Sequence, residues 1–125
     1  MKSYTDIEQS KKLAKILPLE SADMFLALNG TLPVMSKYID NGLVTADDTA
    51  IPCWSLAALL EEMPEIINFD GDKSVYALEI LKEGGLYYLS YGNLLGRSRI
   101  ELEPQECFVD ACYEMILRLH EQNLL

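Results

Sequence analysis

The chain has 125 residues, half of them apolar, with 20 acidic against 10 basic side chains and a formal net charge of -10. That length supports one ordinary core, and the composition excludes a disordered or fibrous chain. The acidic excess speaks against a protein that grips nucleic-acid phosphates or anionic lipid by charge.

Thr5-Asp6-Ile7-Glu8 has the spacing of a capping box, and Ile7, Leu13, Ala14 and Leu17 follow as a loose helical stripe. The expectation is a helix over 5–17, stopped by Pro18. Met24-Phe25-Leu26-Ala27-Leu28 runs into Asn29-Gly30, which predicts a second short helix over about 20–28. Residues 31–51 carry Pro33, Asn41-Gly42 and Asp47-Asp48, the punctuation of turns and loop, with one helical turn near 34–40. Ser55 can cap a helix that starts at Leu56 and ends before Pro64, with Trp54 and Leu59 spaced as a hydrophobic staple. The only tryptophan is therefore expected to lock the start of that helix and fill the core.

Four segments with period-two patterning come next. Glu65–Phe69 is the weakest and is followed by a turn at Asp70-Gly71. Ser74–Lys82 places Tyr76, Leu78 and Ile80 on one face and Val75, Ala77, Glu79 and Leu81 on the other. A short connection at Glu83-Gly84-Gly85 leads to Leu86–Tyr91, and a turn at 92–96 leads to Arg97–Leu102, with Ser98, Ile100 and Leu102 inward. Such short links require antiparallel neighbours, so these strands form a meander. Pro104 suits the first turn of a last helix over 105–122, apolar through Phe108, Cys112, Met115, Ile116 and Leu119 and polar along Asp110, Glu114, Arg118 and Glu121.

The fold class expected is α+β. N-terminal helices precede an antiparallel three- to four-stranded meander flanked by helices, in the order α-β-β-β(β)-α over 54–122. Residues 1–125 form a single domain, divided into an N-terminal helical and loop segment (5–51) and a helix–sheet–helix core (52–122). Double-stranded-RNA-binding domains share this element order, but the basic surface their activity needs is missing.

No apolar run follows the N-terminus, and no stretch approaches the roughly 20 apolar residues of a membrane span. Cys53, Cys107 and Cys112 cannot all pair internally and read as reduced thiols, which suits the cytoplasm. No Cys-x-x-Cys or His-x-x-x-His pair is present, so no zinc site is expected, and no cofactor motif is visible.

Three segments carry a resemblance: Leu17-Pro-Leu-Glu-Ser-Ala-Asp-Met24, Ile51-Pro-Cys-Trp-Ser-Leu-Ala-Ala-Leu-Leu-Glu-Glu-Met-Pro64, and the run from Asp110 to Leu125. They are similar to a family of small uncharacterised proteins of phages and integrated mobile elements of gut bacteria. They span under a third of the chain. The resemblance implies a setting, a bacterial cytoplasm and a mobile element, and carries over no site.

The richest carboxylate group is Glu61, Glu62, Glu65, Asp70 and Asp72, where a helix end followed by a turn could gather oxygens for a divalent cation. The plainer reading is a solvated acidic rim. His120, the only histidine, sits where a cation favours the end of the last helix, and Cys112 lies too far along that helix to form a dyad with it. Tyr87, Tyr91, Arg97 and Arg99 could share a face as a stacking platform for single strands, against which the net charge weighs. Residues 1–50 hold 5 basic and 7 acidic groups, and residues 51–125 hold 5 and 13.

These features lead to an expected non-catalytic accessory protein that binds another protein, a basic host protein, through an acidic surface at Glu61, Glu62, Glu65, Asp70 and Asp72. The rival expectations are a small metal-dependent enzyme using the Glu61–Asp72 cluster, and a self-assembling protein with helix 105–122 as its homodimer seam.

Overall fold

In the computed structural model the described residues are 2–27, 33–35, 50–69 and 71–125. The chain resolves into two compact units, Met1–Leu60 and Glu61–Leu125. Together they hold α-helices and two antiparallel sheets, an α+β protein.

The first unit begins with helix α1 (Ile7–Leu13). Its cap is Asp6 rather than Thr5: the Asp6 carboxylate accepts from Gln9 N at 2.8 Å, and Asp6 N donates to Gln9 Oε1 at 3.2 Å. The capping box is thus shifted by one residue, and the helix is shorter than the expected 5–17. Thr5 is withdrawn because its hydroxyl is buried and used elsewhere: it sits 2.8 Å from Ser10 Oγ and accepts from Trp54 N at 3.1 Å. A single 3-10 turn at Leu19–Ser21 follows Pro18.

The expected helix over 20–28 is a strand, β1 (Met24–Ala27). A continuous apolar run of this length fits a buried strand as well as a helix, and periodicity alone cannot separate them. Pairing decides it: β1 is the central strand of a sheet ordered β2-β1-β3, with β2 at Pro33–Met35 and β3 at Ala50–Cys53. Phe25 lies opposite both Val34 and Pro52. Parts of the stretch read as loop, 33–35 and 50–51, are therefore strand, and the helical turn expected near 34–40 gives way to β2 at its start. The remainder of that expectation, 36–40, lies outside the described residues.

Helix α2 (Leu56–Glu62) starts where the sequence places it. Ala58 N donates to Ser55 Oγ at 3.2 Å, and the staple residues Trp54 and Leu59 are both fully buried.

The second unit is a four-stranded antiparallel meander, β4 (Ile66–Ile67), β5 (Tyr76–Glu83), β6 (Leu86–Gly92) and β7 (Ser98–Glu101), followed by helix α3 (Phe108–Glu121). The hairpin between β5 and β6 turns through Gly84 and Gly85, both at positive φ (62° and 78°), the conformation of a two-residue type I′ turn. Packing α3 on β6 covers one face of the sheet, so Tyr87, Leu89 and Tyr91 are buried while Tyr88 between them is exposed. Ile100 and Leu102 join this core, but Ser98 is exposed because the register between β6 and β7 shifts at Tyr91/Gly92.

Pro104 is not in the first turn of α3. Gln105 still belongs to the sheet, exchanging two hydrogen bonds with Tyr87 (2.7 and 3.1 Å), and the helix begins only after Cys107. The apolar side chains that offered a homodimer seam, among them Cys112, Met115, Ile116 and Leu119, are fully buried within the fold.

Candidate functional site

The acidic group is built by the end of α2 and the turn before β5. Glu61 and Glu62 close α2, whose last turn carries no basic residue, so both carboxylates sit at the negative end of the helix dipole. Glu61 and Glu65 are exposed and Glu62 is half-buried. Asp70 lies outside the described residues.

Asp72 is half-buried and already engaged. Its carboxylate accepts from Ser74 N at 2.8 Å and from the Tyr76 hydroxyl at 2.6 Å, so it shapes the turn that leads into β5. Those two hydrogen bonds, Tyr76 first, hold its carboxyl below the usual range, and the same contact raises the Tyr76 phenol. Among the described residues, no group of three or more His, Cys, Asp or Glu side chains converges to hold a metal ion.

The stacking platform of Tyr87, Tyr91, Arg97 and Arg99 is not formed. Tyr87 and Tyr91 face α3 and are buried. Tyr87 stacks on Phe108 at 4.7 Å between ring centroids, and Tyr91 donates to the Pro64 carbonyl at 2.7 Å. Arg99 instead lies over the Phe69 ring, 4.3 Å from its centroid. The alternation of apolar residues shows which side chains share a face, but not whether a helix covers that face.

Cysteine chemistry is suppressed by burial. Cys53 and Cys112 are fully buried, and desolvation pushes each thiol up to about 12, aided by Asp23 at Cys53 and by Cys107 at Cys112. All three cysteines are free. His120 is exposed in the last turn of α3, eight residues along the helix from the buried Cys112.

Among the described residues Ser55 has a hydroxyl with several close partners. It donates to Asp23 Oδ2, its backbone N–H donates to Asp23 Oδ1 at 2.9 Å, and its oxygen caps α2. The hydroxyl proton goes to Asp23 and the oxygen to the first turn of α2, so Ser55 ties the start of α2 to Asp23 and acts as a structural node. Trp54 beside it is fully buried and donates from Nε1 to Ser21 Oγ at 2.9 Å. It is a core tryptophan with no face left for a ligand.

Glu79, Glu83 and Glu101 fall outside the Glu61–Asp72 group, yet all three are exposed on the second unit. The register puts Glu79 opposite Ser90, and Ser90 opposite Glu101, on the side of the sheet away from α3. The period-two pattern that sets Glu79 beside Leu81 is the sequence signal for this face.

No family model, curated protein or solved structure matches this chain. Among the described residues, no helix is long and apolar enough to cross a membrane.

Proposed function

We propose that this chain is a non-catalytic binding protein that engages a basic surface of another protein through its acidic second unit. The observation that carries this is charge left unneutralised. Residues 61–125 hold 13 acidic and 5 basic side chains, and two of those five cations, Lys82 and Arg99, lie over the rings of Tyr87 and Phe69. Glu61, Glu65, Glu79, Glu83 and Glu101 are exposed, and among the described residues none of them sits in an ion pair. Glu61 and Glu62 also occupy the helix end where negative charge disfavours folding, so local helix stability does not account for them. A field of one sign suits fast association with a basic partner. The resemblance to proteins of phages and mobile elements supplies the setting, a bacterial cytoplasm, and makes a host protein the natural partner.

The test is capture of partners from nuclease-treated host lysate on the immobilised full chain. One stoichiometric protein that elutes as salt rises is the expected result. Reversal of Glu61 and Glu62 to lysine should weaken that capture more than reversal of Asp6 and Glu8. Equal effects, or retention that is indifferent to salt, would reject an acidic contact surface.

A further inference from the structure

We infer that the outer edge of β5, from Glu79 to Glu83, accepts an extended basic segment of the partner as an added strand. The inference rests on the proposed binding function and adds to the Glu61–Asp72 rim a second contact on the same unit.

Among the described residues the edge is open because the strands are unequal. β5 has eight residues, but β4 pairs with it only at Ile66↔Ala77 and Ile67↔Tyr76. One further bond, Leu78 N to Glu65 O at 3.0 Å, ends the pairing on that side. That bond also fixes which backbone groups point outward. In an antiparallel strand the N–H and C=O of alternate residues face the same neighbour. Those of Ile80 and Lys82 therefore face outward beyond the end of β4, and the other side of β5 is taken by β6 from Ala77 to Glu83.

Unprotected edges are normally blunted by charge, bulges or coverage. Here residues 79–83 pair with β6 without a register shift and are all exposed. Two of them are large and apolar, Ile80 (43% exposed) and Leu81 (55%). Lys82, the residue best suited to guard the edge, leans back over its cross-strand neighbour Tyr87, with Nζ 5.2 Å from the ring centroid.

Charge selects the occupant. A second copy of this chain is disfavoured by charge in the two registers that centre on Leu81 or Lys82, and an axis at Ile80 would set Lys82 against Leu78, whose N–H is already bonded to the Glu65 carbonyl. A two-fold axis at Leu81 sets Glu79 against Glu83 of the second copy, and an axis at Lys82 sets the two copies of Lys82 against each other. Like charges directly opposite destabilise a strand pair, whereas opposite charges stabilise it. A segment of the form basic-x-apolar-x-basic matches instead. Its basic residues meet Glu79 and Glu83, its apolar residue meets Leu81, and the intervening residue opposite Ile80 is apolar. This is strand addition, with main-chain hydrogen bonds supplying affinity and alternate side chains supplying specificity.

The probe is a capped synthetic peptide, Ser-Lys-Thr-Val-Val-Lys-Ser, titrated into the full chain, with a control in which both lysines are glutamate. Amide hydrogen exchange by NMR reads the site directly. The Ile80 and Lys82 amides should exchange rapidly in the free protein and slow at least tenfold at saturating lysine peptide, with no effect of the glutamate peptide. Glu79→Lys with Glu83→Lys, both exposed and checked for an unchanged circular dichroism spectrum, should weaken peptide binding at least tenfold. Glu61→Lys with Glu62→Lys should not. Unchanged exchange at Ile80 and Lys82, or equal binding of the two peptides, would overturn the inference. A host partner captured through Glu61 and Glu62 alongside that result would leave the proposed function standing and remove only the edge; failure of both tests would remove both.

Discussion

The two units solve the problem of stability differently. In Met1–Leu60 the charges nearly balance, 5 basic against 7 acidic, and the structure is tied by polar contacts between distant parts of the chain. Thr5 and Trp54, 49 positions apart, exchange bonds through backbone and hydroxyl, and Asp23 binds Ser55 across 32 positions. In Glu61–Leu125 the ties are neighbouring strands joined by tight turns, and the charge is lopsided, 5 against 13. Polar groups that are spent on folding cannot be offered to a partner. Among the described residues the first unit spends Thr5, Asp6, Asp23 and Ser55 in this way, while the second leaves most of its carboxylates in solvent.

The sharpest way to break this comparison is at Trp54. Trp54→Ala removes a fully buried ring and its bond to Ser21, with an expected loss of about 3–5 kcal/mol in urea unfolding of the full chain. A loss under 1 kcal/mol would mean that the tryptophan is not the keystone of its unit. Thr5→Val tests the polar tie with little change of shape. It leaves Trp54 N without its hydroxyl partner and Ser10 Oγ with only the Thr5 carbonyl at 3.4 Å, for an expected loss of about 1–3 kcal/mol by the same measurement.

In the second unit the corresponding polar contact is expected to matter less. Tyr91→Phe removes a single bond to the Pro64 carbonyl, and should lower stability by about 1 kcal/mol. A loss larger than that of Thr5→Val would invert the contrast between the units.

The smallest effect is a pH dependence. The Asp72 carboxyl is held below its ordinary value of about 3.9, so its contribution is fully present above that value and is lost as pH falls through the lower folded value. Thermal midpoints between pH 7 and pH 3 should therefore fall less steeply for Asp72→Asn than for the natural sequence. Parallel acid limbs would show that the contact with Tyr76 does not stabilise the turn.

Legibility in the sequence follows the same division. The meander, its glycine turn and the α2 cap are set by residues within a few positions of one another, and Gly84, Gly85 and Ser55 announce them. The α1 cap was displaced by one residue because Thr5 and Asp6 are both good caps locally, and a partner 49 positions away claims the threonine. Met24–Ala27 reads equally as helix or strand until β2 and β3 flank it. The acidic group shows the same limit. Glu61, Glu62 and Glu65 cluster in sequence, yet Asp72, only seven positions beyond Glu65, spends its carboxylate on Tyr76 and Ser74.

The sequence by itself determined the α+β class, the antiparallel meander with its alternating faces, the closing helix and the acidic imbalance of the second half. Each of these depends on periodicity, turn chemistry or composition, which neighbouring residues encode. Tertiary structure alone decided that β1 is a strand, that Tyr87 and Tyr91 are covered, that Asp72 is occupied, and that β5 outruns β4 to leave an edge. Those outcomes depend on which distant segment reaches a given backbone group or face first. A one-dimensional pattern carries no record of that competition.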